Sequence, residues 1–163
     1  MSIIQGQVKA DIDHWIAQYP EGQQKSAVMP GLSVIQAANG GHLTEALMDE
    51  LADYLDITPI EVYEVATFYS MYEHQPVGKH KICVCTNISC MLRGSDEVVD
   101  HLKKRLGVND FGEISADGKF SIKEVECLGA CVGAPMFQIG DHYHEHLTLK
   151  KSMPFWLVWS NVR

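Results

Sequence analysis

The chain has 163 residues, 46% of them hydrophobic, which suits one domain, or one domain with a helical extension, around a proper core. Its net charge of −8 argues against a nucleic-acid partner. Five cysteines, an odd number, argue against a secreted disulfide scaffold.

The charge is uneven. Residues 1–76 carry 11 acidic and 2 basic side chains, whereas 77–163 carry 10 acidic and 11 basic. The step suggests two halves, 1–76 and 77–163, with different surfaces facing different partners. The opening MSIIQGQVKADID lacks the basic head and apolar stretch of a signal peptide. The longest apolar run, Met153 to Trp159, is far short of a membrane span. A soluble, intracellular chain without direct membrane insertion is expected.

In chain order, Val8, Ile12, Trp15, Ile16 and Tyr19 follow the 3.6 period, predicting an amphipathic helix over 8–19 that stops at Pro20. A second helix is expected over 26–38, with Pro30 near its first turn, where a missing amide is tolerated. Thr44 suits the cap of a third, with Leu47, Leu51, Tyr54 and Leu55 on one face. Thr58-Pro59-Ile60-Glu61 reads as a capping box with proline at the first helical position, flanked by a staple of Ile57 and Val62. That fourth helix runs through EVYEVATFYSMY and ends before Pro76. Phe68, Tyr69, Met71 and Tyr72 read as core or subunit contact.

Beyond Gly78 the pattern changes. A strand is expected over 80–85, then a helix over 96–106 capped by Ser95. Its acids come first and its bases last, as the helix dipole favours, and Gly107 ends it. Asp117-Gly118 signals a hairpin turn before a strand over 120–126. Strands over 136–139 and 143–147 flank Gly140-Asp141. The order β-α-β-β-β with a terminal helix is compatible with a thioredoxin-like layer, and helices before strands make the expected class α+β.

Four cysteines form two pairs. Cys85 and Cys90 are spaced C-x4-C, and Cys127 and Cys131 are spaced C-x3-C. Each pair opens the loop behind a strand, so both can lie at one edge of a sheet. Four thiolates satisfy a [2Fe-2S] cluster, although the spacing is not the plant-type run. Nor is it the common zinc arrangement of two C-x2-C knuckles, yet a structural zinc site stays open as the alternative. Gly129, Ala130, Gly133 and Ala134 leave room beside the second pair, and amides in such loops can donate to sulfur. Cys83 reads as a small core residue. His142, His144 and His146 alternate along a strand and read as a solvated face in preference to a metal grip.

Cys-Thr-Asn-Ile-Ser-Cys followed by Glu-Cys-Leu-Gly-Ala-Cys-Val-Gly-Ala-Pro resembles the thioredoxin-like [2Fe-2S] ferredoxin component of bacterial complex I, the E-subunit family of NADH:quinone oxidoreductase. Val-Ala-Thr-Phe-Tyr-Ser-Met-Tyr, Gln-Pro-Val-Gly-Lys and Ser-Ala-Val-Met-Pro at 26–30 add to the likeness, which covers about residues 10–148. The resemblance implies an N-terminal helical bundle, 1–76, joined to a thioredoxin-like α/β domain, 77–163, and implies that Cys85, Cys90, Cys127 and Cys131 ligate the cluster. It also implies a partner subunit that binds FMN and NADH, further subunits of the complex, and a location peripheral to the cytoplasmic side of the inner membrane. In that setting the flavin takes two electrons as a hydride and passes them on singly. The chain itself has no G-x-G-x-x-G or Walker loop and is expected to bind neither nucleotide nor flavin. The equivalent subunit of an NAD-linked formate dehydrogenase or NAD-reducing hydrogenase is the nearest rival, and a zinc-folded interaction module is a rival of another class. After Thr148 the family implies an amphipathic helix; here Pro154 interrupts it, and an apolar run follows over 155–159.

Overall fold

The computed structural model describes residues 2–148. The chain divides between Pro76 and Val77 into two compact units.

The first unit is helical. Helix α1 (Gly6–Ile16) is followed by a short 3-10 turn (Gln24–Ala27), then α2 (Val28–Ala38), α3 (Glu45–Leu55) and α4 (Pro59–Phe68). Ile12, Leu32, Ile35, Leu51, Leu55 and Val62 are fully buried and share one core. Gly31 lets α2 approach α3: a Cβ there would lie 3.0 Å from Leu51 Cδ1. Thr44 caps α3, its hydroxyl accepting from Leu47 N–H at 3.4 Å. The start of α4 carries the capping box, Glu61 Oε2 accepting from Thr58 N–H at 2.9 Å and from its hydroxyl at 2.8 Å.

Three helices differ in length from the sequence pattern. α1 stops at Ile16 because its last amides tighten to 3-10 spacing, Gln18 N–H to Trp15 O and Tyr19 N–H to Ile16 O, ahead of Pro20. α2 starts at Val28, its expected first turn being 3-10 instead. α4 stops at Phe68, because tertiary bonds take the following residues. Tyr72 is buried and its hydroxyl donates to Met29 O at 2.9 Å, while Glu73 N–H donates to Gln36 Oε1 at 2.7 Å. Of the aromatic group, Tyr72 is core; Phe68, Tyr69 and Met71 are exposed.

The second unit is built on a four-stranded sheet of order β2-β1-β3-β4. Strand β1 (His80–Cys85) leads through a short helix α5 (Ile88–Met91) and α6 (Ser95–Leu106) to β2 (Phe120–Val125). Then come β3 (Phe137–Ile139) and β4 (His142–His144). β1 and β2 are parallel, from His80 opposite Phe120 to Cys85 opposite Val125. β3 pairs antiparallel with both β1 and β4. Alternation puts Ile82 and Val84 on one face, where they pack with Val98, Val99 and Leu102 of α6 and with Ile122, Phe137 and Ile139.

Here too local geometry corrects the sequence pattern. Gly94, at φ +90°, holds the N-cap of α6, and Ser95 is its first, buried helical residue. Asp117-Gly118 makes a turn with one isolated bridge, Ile114 to Ser121, and no second strand. β4 ends at His144, since His146 turns left-handed (φ +52°) and its N–H donates to Gly133 O at 2.6 Å. The segment holding Pro154 and the apolar run lies outside the described residues. Among the described residues no helix is long and apolar enough to cross a membrane.

Glu61 provides a pH test of the helical unit. The Lys25 ammonium, 2.7 Å away, and the Thr58 donors hold its carboxyl down at about 2, against an ordinary 4.5. A lowered folded-state pKa stabilises fully above the ordinary value and is lost as pH falls toward the folded one. Glu61→Gln therefore lowers the helical melting midpoint of the metal-free chain at pH 7, followed by far-UV circular dichroism. The gap between variant and wild type closes between pH 4.5 and about 2; an undiminished gap at the acid end would count against this assignment.

Candidate metal centre

Parallel pairing sends the ends of β1 and β2 to the same edge of the sheet, with Cys85 opposite Val125. Thr86 N–H extends the ladder one step to Val125 O at 3.3 Å. The chain then turns into α5, which the sequence pattern did not reveal. Asn87, in an extended conformation, caps it by accepting from Ile88 N–H at 2.9 Å. The cap sets Cys90 on α5 itself, with Cys90 N–H donating to Asn87 O at 2.8 Å.

The second loop follows β2. Gly129 turns at φ +83° and donates its N–H to Cys127 Sγ at 3.4 Å. Cys131 begins a single 3-10 turn, Cys131–Gly133, closed by Gly133 N–H to Ala130 O at 3.0 Å. Cys85 N–H donates to Met136 O at 3.2 Å, which binds the end of β1 to the chain beyond the second loop. Tyr143 of β4 also holds the loop, its hydroxyl donating to Leu128 O at 2.8 Å.

All four expected cysteines thus come to one end of the unit. Cys85 and Cys90 are buried with Ala134 and Met136, and Leu128 and Ala130 of the second loop pack against them. Cys127 and Cys131 are exposed, their sulfurs 3.4 Å apart. Electrostatics link the pairs: the Cys131 thiol feels both Cys127 and Cys85, and the Cys90 thiol feels both Cys85 and Cys131.

Burial, reinforced by the hydrogen bond to Cys85, pushes the Cys90 thiol up to about 11, with a backbone hydrogen bond from Met136 opposing. The Gly129 amide, and then the Cys131 thiol, hold Cys127 below the ordinary thiol value. Cys131 is raised chiefly by Cys127, while a hydrogen bond with Ser89 works against the rise. Thiolate ligands would therefore be formed by exchange of protons for metal, as metal–thiolate sites generally require.

The pairwise grouping tests what the site can hold. Structural zinc gathers four ligands tetrahedrally round one ion. Two thiol pairs brought to one end of the unit, one buried and one exposed, supply the four thiolates of a two-iron centre in which each iron takes two, and the same four could also surround one zinc ion. Amide donors near Cys127 and Cys90 suit the anionic charge of such a centre.

Other sequence candidates stay outside. Cys83 is half-buried on the face of β1 that also carries Lys81 and Cys85, not in the core, and stands opposite Lys123 and Gln138. His142 and His144 lie on β4, whereas His146 has left the strand, so the three do not form one strand face. Missed in the sequence were Asn87, Ser89, Glu126 and Tyr143, which hold the loops; only an asparagine between the first two cysteines signalled a cap.

Gly133 shows how closely the second loop is packed. A Cβ there would lie 2.7 Å from Glu145 Cβ. Gly133→Ala should lower the free energy of unfolding by about 1–3 kcal/mol in urea titration, as overpacking does. Glu145→Ala in addition should recover only part of this loss, because the two β-carbons still collide.

Residues 12–154 match the model of the thioredoxin-like [2Fe-2S] ferredoxin family. The chain is 46% identical over 136 residues to the E subunit of NADH-quinone oxidoreductase from Rickettsia bellii (strain RML369-C), covering 83% of this chain and 81% of that protein. It is 43% identical over 137 residues to the mitochondrial NADH dehydrogenase [ubiquinone] flavoprotein 2 of Dictyostelium discoideum, covering 84% of this chain and 55% of that one. An NAD+-reducing [NiFe]-hydrogenase crystal structure in the air-oxidized state is similar in fold, with a TM-score of 0.66 at 18% identity. That likeness covers 81% of this chain, which spans about a quarter of the hydrogenase chain, 23%.

Proposed function

Because the chain belongs to the thioredoxin-like [2Fe-2S] ferredoxin family, we propose that Cys85, Cys90, Cys127 and Cys131 hold one [2Fe-2S] cluster in an electron-transfer subunit of NADH:quinone oxidoreductase. The observation that carries this reading is the convergence of two thiol pairs, one buried and one exposed, from adjacent parallel strands. When bound, the cluster supplies a station that exchanges single electrons with the flavin of a partner subunit. The residues of this chain do the rest. Cys85 and Cys90 anchor one side of the site in the apolar cluster with Met136 and Ala134. Gly129 N–H and the Ser89 side chain donate hydrogen bonds to the sulfurs of the outer pair. Such donors stabilise added negative charge and so set the potential.

The partner is proposed to be the subunit that binds FMN and NADH, within a larger complex. Exposed apolar side chains adjoin the cysteines: Ile88 is 65% exposed, Leu92 77% and Val132 89%. These side chains are proposed as part of the surface that the partner covers. Val132 follows Cys131 directly, so a partner covering it would also shield the outer pair from water. Through that assembly the chain would sit at the cytoplasmic side of the inner membrane. Relatives at 43–46% identity support the quinone-linked complex, whereas the hydrogenase likeness, at 18%, speaks for the fold alone.

Purified without oxygen, the chain should be red-brown, with two irons and two labile sulfides; a colourless protein holding one zinc would sink the reading. Cys127→Ala should abolish the visible spectrum, and Cys83→Ala should leave it nearly unchanged. In native pull-downs the chain should bring down a flavoprotein subunit with its flavin. Recovery of the chain alone would remove the proposed partner.

A further inference from the structure

Asn87 and Glu126 belong to different cysteine loops. Asn87 lies between Cys85 and Cys90, and Glu126 directly precedes Cys127. Asn87 Nδ2 donates to Glu126 Oε2 at 2.6 Å, while Asn87 Oδ1 accepts from Ile88 N–H at 2.9 Å. One amide therefore caps the short helix that carries Cys90 and grips the residue beside Cys127. A second bond, Thr86 Oγ1 to Glu124 Oε1 at 2.7 Å, ties the same two segments nearer the sheet.

Packing alone does not place the outer sulfurs, because Cys127 and Cys131 are exposed. The second loop is held at Leu128 O by the Tyr143 hydroxyl and at Glu126 by the Asn87 amide. We propose that Asn87 and Glu126 are a positioning pair that fixes the separation of the inner and outer cysteine pairs and thereby governs how tightly the cluster is held. The inference rests on the four cysteines being its ligands. An exposed hydrogen bond to a carboxylate adds little to folding. Partners that orient metal ligands matter more to the metal, and their loss typically costs about 10–100-fold in affinity.

The test exchanges donor and acceptor in the full-length, cluster-loaded chain. Asn87→Asp keeps the acceptor for Ile88 N–H but sets carboxylate against carboxylate. It should speed cluster loss to excess chelator, followed by visible absorbance, about 10-fold or more. Glu126→Gln alone keeps an acceptor for the Asn87 amide and should stay within about threefold of wild type. Combined with Asn87→Asp it supplies the missing donor, and the rate should return to within about threefold. The electron paramagnetic resonance spectrum of the reduced chain should change in Asn87→Asp and revert in the combined variant. The melting midpoint of the metal-free chain should move little in any of the three.

Wild-type release rates in Asn87→Asp, or a combined variant as fast as that single one, would overturn the proposal. If Asn87→Asp retains no cluster, the iron content of the combined variant decides: loading supports the pair, and an empty site overturns it. A wild-type chain without iron removes the ligand reading and this inference with it. A loaded wild type with indifferent variants removes only the inference.

Discussion

Parallel pairing of β1 with β2 sets Cys85 opposite Val125, and both chains leave the sheet at the same end. Everything at the candidate centre depends on that register. Antiparallel neighbours would have sent the two cysteine loops to opposite ends of the sheet. A parallel pair requires a crossover between its strands, and here α6 provides it. The same helix supplies Val98, Val99 and Leu102 to the core beneath the strands, so the element that permits the parallel order also holds it rigid.

The four thiols do not share one environment. Cys85 and Cys90 are enclosed, and burial disfavours the charged form of Cys90. Cys127 and Cys131 face solvent, and an amide hydrogen bond favours charge on Cys127. The site thus has an anchored apolar side and an accessible polar side. An electron carrier benefits from both: the first restrains geometry, and the second leaves a short path to a partner.

Much of this was legible in the residues. The capping box at Thr58, strand β1 and the left-handed stop at Gly107 follow from local chemistry and appear as expected. The four cysteines read as one proposed metal site, and their expected place behind strands does bring both pairs to one edge of the sheet. What escaped was set by contacts distant in sequence. The end of α4 depends on Tyr72 reaching Met29, and the end of β4 on His146 reaching Gly133. Ser95 has the chemistry of a cap, yet Gly94 at φ +90° takes the position because it bears the left-handed turn more easily. The Asn87–Glu126 bond joins residues 39 positions apart, beyond the reach of any periodicity.

The paired register also sets where the second unit can change length over evolution. Val108 to Lys119 joins α6 to β2 and is itself tied to the sheet, Gly112 N–H donating to Ile122 O and Ser115 N–H to Phe120 O, each at 2.8 Å, so added residues leave both strand ends in place only where they fall between those ties. One residue inserted within β1 is another matter. It would turn Ile82 and Val84 toward the opposite face and carry Cys85 away from Val125. Homologous chains should therefore change length in that connection, between its ties to the sheet, more readily than within the strands, keeping a constant count of residues from His80 to Cys85 and from Phe120 to Cys127.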